Sequence, residues 1–405
     1  MNICIFEDEG VKNLSPLADF RPAFDLRAGA LLIRDKIRNA FPDDDISYLV
    51  REEIAPIIKA KYPDAHVNQD IEDKDVLFIN GRLLMDDTTA EAVKKLESGQ
   101  ALVNESGIVA VRNSAESFDP NDIGNLGSVS CSAVLVNYIW ELISANAGQI
   151  ESDFLILTGG NPTQSGNVSD AAHLINSENI HNSAGADLQA GVVLDASRGS
   201  IYIGKDAVIM ANSFIEGPSF IGDGSVIKAR SKIYGGTSIG EVCKVGGEVE
   251  NSIMHSYSNK QHDGFLGHSY LGSWVNLGAN TNTSDLKNDY GNVKVHCEGE
   301  LIDAGSKHIG LMMGDHSKSG INTMFNTGTV VGSSCNLFGG GFHPKYVPSF
   351  SWGGQDSGYS DYRLEKAVDV AENVMSRRDV RMSAAEKALF QSVFDASAED
   401  RKSRS

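Results

Sequence analysis

Aliphatic residues recur at every sixth position through the middle of the chain: Ile203, Ile209, Ile215, Ile221, Ile227, Ile233, Ile239 and Val245 follow one another without a break. Gly comes directly after Ile203, Ile221, Ile239 and Val245, and the frame resumes at Phe265, Leu271 and Leu277. A step of six fits neither the 3.6-residue period of a helix nor the alternation of a lone strand. It matches hexapeptide repeats, three of which close one triangular coil of a parallel β-helix. Each aliphatic side chain then points into the coil axis, where burial is worth about 1.5–3 kcal/mol, and no repeat folds without its neighbours. The frame breaks between Asn251 and Gln261 and again from Asn282 to Lys307. Such breaks are where loops leave a solenoid, often on its binding face.

Earlier in the chain the pattern is that of alternating strands and helices. "ICIF", "SYLV" and "DVLFING" are short apolar runs fit for strands, whereas "DLRAGALLIRDKIRNAF", "DTTAEAVKKLESG" and "VLVNYIWELISANAGQI" carry apolar residues at helical spacing. From Leu155 to Gln189 the composition turns to Gly, Asn, Ser and Asp, which reads as a connection. After Trp352, "DYRLEKAVDVAENVMSRR" and "SAAEKALFQSVF" predict two amphipathic helices that cap the open end of the coil. The expected organisation is therefore an α/β domain over 1–155, a connection over 156–190, a β-helix over 191–350 and a helical tail over 351–405.

The formal charge of −19 over 405 residues argues against a nucleic-acid partner and leaves room only for a local basic pocket. Five widely spaced cysteines without a CxxC pair predict neither a zinc site nor a disulfide framework. No signal pattern and no apolar run near 18 residues is present, so a cytoplasmic protein without membrane contact is expected.

The segment "HDGFLGHSYLGSWVNLGA" (262–279) asks whether either of its histidines does chemistry. An α/β domain followed by hexapeptide coils resembles the sugar-nucleotide pyrophosphorylases. This segment is similar to the bifunctional N-acetylglucosamine-1-phosphate uridylyltransferase/glucosamine-1-phosphate acetyltransferase family. The resemblance is good over roughly residues 200–340 and weak over 1–155. In that family the catalytic His stands fourteen residues before the Asn of the "NLGA" motif, which selects His262 over His268. The resemblance implies a left-handed coil, a homotrimer, and acetyl transfer from acetyl-CoA to an amino-sugar phosphate or sugar nucleotide, with His262 as the base. It also implies that Asn276 and Phe265 (where the family usually has Tyr) meet the sugar, and that Ala279 and Ser317 line the acetyl-CoA site. Arg230 and Lys260 are the expected phosphate ligands, since an Arg fork takes two phosphate oxygens; Lys244 and Lys287 lie nearby in sequence. The plain alternative for His262 is a coil-corner residue without a role.

The opening "ICIFEDEGVKNLSPLADFRPAFDLRAG" is similar to the nucleotidyltransferase opening, but Glu7, Asp8 and Glu9 replace the Gly-rich loop that cradles phosphates. Arg21 and Arg27 remain as nucleotide-phosphate ligands. Asn80 stands where the family has a Mg²⁺-binding Asp, so Mg²⁺ is expected only if this domain is active. Three readings result: an acetyltransferase with a degenerate or altered nucleotidyltransferase domain, a uridylyl- or thymidylyltransferase whose β-helix only oligomerises, and a non-catalytic scaffold.

Overall fold

The computed structural model describes residues 2–68 and 75–403, and the chain divides into two compact units. The first comprises Met1–Leu26, Leu31–Ile139 and Ser383–Ser392, and the second Arg27–Ala30, Trp140–Met382 and Val393–Ser405.

The first unit is built on a mixed six-stranded sheet of β1 (Asn2–Phe6), β2 (Asp45–Leu49), β3 (Val76–Asn80), β4 (Gln100–Asn104), β5 (Gly107–Asn113) and β6 (Gly127–Ser130), in the order β2-β1-β3-β5-β4-β6. β1 runs parallel to β2 and β3, and its unbroken run Ile3, Cys4, Ile5, Phe6 is buried, as a strand covered on both faces requires. Of the long helix expected from Asp25 to Phe41, only α1 (Ile33–Ala40) forms. The preceding residues turn back through Gly29 (φ 79°). Helix α2 (Asp87–Lys94) is capped by Asp86, whose carboxylate accepts the Thr89 N–H at 2.7 Å. The helix expected over 134–150 lies further on, as α3 (Ile139–Thr158), because Val134–Leu135 pair as a strand with Leu83–Leu84.

The second unit contains the expected left-handed parallel β-helix. Leu188, Ile209, Ile227, Val245 and Lys260 lie in register along one ladder, and Leu174, Leu194, Ile215, Ile233, Val249 and Leu266 along a second. All eight aliphatics of the hexapeptide frame are fully buried in one axial core. Two particulars differ from the sequence reading. Leu266, and not Phe265, is the inward residue, because the coil shortens after Ile239 and shifts the frame. The strands Asn167–Val168, His173–Ile175 and Ile180–Asn182 already pair with the ladders, so the polar stretch read as a connection contributes the first coil.

Coil corners take the left-handed conformation at intervals of six, at Asp206, Asn212, Arg230 and Val242 among others. Buried serines then tie successive coils together. Ser225 Oγ donates to the Gly240 carbonyl and accepts the Cys243 N–H; Ser258 does the same with Gly272 and Val275, and Ser317 with Gly332 and Cys335. The second break is an insertion between Thr283 and Ile309 that carries the hairpin Lys294–Cys297/Glu300–Asp303. The tail forms α4 (Leu364–Ser376) and α5 (Ala384–Ala396). Phe394 packs edge-on against Phe350 of the last coil, with the ring centroids 5.1 Å apart. Among the described residues no helix is long and apolar enough to cross a membrane.

Candidate functional site

Asn259, Asn276 and Lys318 stack in successive coils through parallel bridges. They line a cleft of about 320 Å³ together with Lys244, Gln261, Trp274, Arg377 and Arg378. The two arginines follow α4, and Arg378 Nη2 donates to Asn259 Oδ1 at 3.1 Å. The tail thus supplies half of the cleft's four cations, which sequence proximity to the histidine segment does not reveal. Crowding by Arg378, and then burial, lowers the Lys244 pKa. Burial pushes Lys318 down to about 8, and its ammonium donates to the His316 carbonyl at 2.7 Å. In a chain of charge −19, this is a local concentration of positive charge. Trp274 turns a coil corner at φ 62° and stacks on Tyr257 at 4.3 Å, which fixes its ring at the cleft wall.

The residues expected from the motif separate into two groups. Asn276 lines the cleft, and His262 is exposed one residue beyond the cleft-lining Gln261. Phe265 and Ala279 are half-buried on the same coils. The Phe265 ring lies over Gly267, where an added Cβ would come within 2.5 Å of Cζ.

Three expectations for the coils are corrected. Lys260 occupies an axial position in register with Val245, is 2% exposed, and donates to the carbonyls of Gly246 and His262, both at 2.9 Å. A phosphate cannot reach an ammonium inside the coil. Ser317 is fully buried, and its hydroxyl is engaged by Gly332 and Cys335 as one of the coil-tying serines, so it makes no side-chain contact with a cofactor. Arg230 is an exposed corner residue two coils before His262, about 10 Å along the axis, and it does not line the cleft.

In the first unit, Glu7 and Asp8 are paired with arginines. Asp8 accepts from Arg82 Nε at 2.7 Å and Nη2 at 2.6 Å, and both side chains are almost wholly buried. A Cβ at Gly10 would lie 2.5 Å from Arg82 Cζ, so this glycine leaves room for the guanidinium. Glu7 pairs with Arg51 at 3.1 Å and accepts the Ala23 N–H. Asn80 is wholly buried, donating to Asp8 and the Ile108 carbonyl while its oxygen accepts the Arg82 N–H. Asn80 is therefore corrected as a metal ligand: a fixed cation already neutralises Asp8, and these residues do not fit a Mg²⁺ ion. Arg21 is buried, and its carbonyl accepts from Arg51. Arg27 is corrected as a nucleotide ligand, because Glu241 takes its guanidinium with both carboxylate oxygens at 2.7 Å and Phe220 stacks against it at 5.2 Å.

Residues 3–162 match the family model described as sugar nucleotidyl transferase. The chain is 33% identical over 145 residues to the bifunctional sugar-1-phosphate nucleotidylyltransferase/acetyltransferase of Sulfurisphaera tokodaii, covering 35% of this chain and 36% of that one. It is 36% identical over 88 residues to the bifunctional protein GlmU of Methanocaldococcus jannaschii, covering 22% of this chain and 21% of that one. The matches thus span about a third or less of these relatives' length. Among solved structures, a UDP-N-acetylglucosamine acyltransferase aligns over 60% of this chain and 93% of its own at 13% identity and TM-score 0.31. The Arabidopsis enzyme of that name aligns over 59% and 98% at 15% identity and TM-score 0.22. The resemblance read from the motifs, to bifunctional sugar-phosphate transferases, is the one these relatives carry.

Proposed function

We propose that the chain is an acetyl-CoA-dependent N-acetyltransferase acting on an amino-sugar phosphate of the glucosamine-1-phosphate kind. The observation that carries this reading is the cleft, which Asn276 shares with Lys244, Lys318, Arg377 and Arg378; His262 is exposed and follows the cleft-lining Gln261 in the chain. The cations hold the phosphate, and the Asn276 amide meets the sugar. His262 removes a proton as the amine nitrogen attacks the thioester carbonyl, as general-base catalysis of amide formation requires. The C–N bond forms, the C–S bond breaks, and CoA leaves as a thiol after taking up a proton. Three copies of the chain, packed coil to coil, would complete the acetyl-CoA groove.

The test is thiol release from acetyl-CoA in the presence of glucosamine-1-phosphate. His262→Ala should lower the rate about 10²–10⁴-fold without loss of folding. Full activity in that variant would eliminate the base.

The match over 3–162 supports a second activity, nucleotidyl transfer from UTP or dTTP to a sugar-1-phosphate. The buried Asp8–Arg82 pair stands against it. Metal-dependent pyrophosphate release by the purified chain would reverse that judgement.

A further inference from the structure

His268, Asp285 and His308 converge where the inserted loop leaves and rejoins the coil. Their ligand atoms all lie within 4.8 Å of one another. His268 Nδ1 is 2.7 Å from Asp285 Oδ2, and the two imidazole rings are 4.9 Å apart. The backbone holds the three in place. Leu286 and His308 form an antiparallel bridge at the loop neck, the Ile309 N–H donates to the Asp285 carbonyl at 2.9 Å, and the Gly310 N–H to the His268 carbonyl at 2.8 Å. His268 sits at a coil corner with φ 43°, and Gly267 leaves space for Asp285, since a Cβ there would meet Oδ2 at 2.6 Å. Glu250 lies on the same face, its carbonyl accepting the His268 N–H at 3.2 Å.

We infer that His268, Asp285 and His308 form a binding site for a divalent transition ion of the zinc class, which staples the neck of the 284–308 insertion to the coil. Two imidazoles and one carboxylate are the donors such an ion prefers, and a water completes four-coordination. Bonds of about 2.0–2.2 Å require the three ligand atoms to close in. The exposed His308 supplies that movement by rotating its side chain. None of the three residues lines the cleft, and ion binding does not presuppose acetyl transfer.

The test uses the full-length protein stripped of metal with a chelator, then titrated with zinc chloride by calorimetry and with cobalt chloride by visible absorption. One equivalent of each per chain is expected, with d–d bands of a four-coordinate ion. Limited proteolysis of the insertion should slow when zinc is added. His308→Ala, at an exposed position, and Asp285→Asn should each weaken binding at least about tenfold and abolish the protection. A zinc isotherm unchanged in His308→Ala, or no cobalt bands in the parent protein, would overturn the site and leave a simple His–Asp pair.

Discussion

Lys260 reaches from the axis of the coil to donate its ammonium to the His262 carbonyl at 2.9 Å. Its neighbours along the ladder, Val245 and Ile227, are aliphatic and fully buried, so a charge stands where the repeat calls for a hydrocarbon. Carbonyls at the coil corner make the burial tolerable. The result anchors the backbone of the proposed base from inside the solenoid. Lys260→Met should therefore lower the rate of acetyl transfer with little change in acceptor KM, because the cleft's own cations are untouched. Steady-state kinetics on the two proteins decide it, and a rise in KM alone would contradict the anchoring role.

The same lysine has a signature in pH. Burial lowers its pKa from 10.5 to about 8. The folded chain thus binds fewer protons than the unfolded one between those values, and stability rises with pH across the window. The cost of the buried charge is in full force below about pH 8, where both states are protonated, and amounts to roughly 3 kcal/mol. Urea midpoints at about pH 8 and about pH 10 should rise less in Lys260→Met than in the parent. Lys318, also pushed to about 8, keeps a share of the slope in both proteins.

Arg377 and Arg378 sit after α4 and reach the cleft from outside the coil. Their replacement by Ala together should raise the KM for a phosphorylated acceptor about tenfold or more and leave kcat for a saturating acceptor nearly unchanged, since they bind the ground state and transition state alike. Added salt should weaken the parent's acceptor binding and have less effect on the variant. An equal KM for both proteins would remove the phosphate from this cleft.

Ser317→Ala should destabilise the chain by about 1–2 kcal/mol, because it leaves the Cys335 N–H and the Gly332 carbonyl without their buried partner. The KM for acetyl-CoA should stay as it was. Chemical denaturation alongside a thioester titration separates the two outcomes; a large KM change without loss of stability would restore Ser317 to the cofactor site.

In the first unit, Arg82→Leu strands the buried Asp8 carboxylate and should cost about 3–5 kcal/mol. Adding Asp8→Asn should recover part of that loss. Guanidinium unfolding of the single and double variants measures it, and equal stabilities would mean the pair contributes nothing.

The solenoid was legible in the sequence because its cause is local and repeated: Ile203 to Val245 declare at six-residue intervals which side chains face the axis. The six-residue repeat does not distinguish His262 from His268; only the resemblance to a family motif, with the His fourteen residues before Asn276, sets it apart. What the repeat could not convey is how the frame continues once coils shorten. Fifteen residues instead of eighteen separate Val245 from Lys260, so a lysine that reads as a surface ligand enters the axis, and Leu266 replaces Phe265 as the inward residue. Contacts between distant segments were equally hidden. Arg82 neutralises Asp8 across 74 residues, Glu241 claims Arg27 across 214, and Arg378 reaches Asn259 across 119. An ionic side chain pairs with whatever the fold brings within hydrogen-bond distance, and periodicity along the chain carries no record of that.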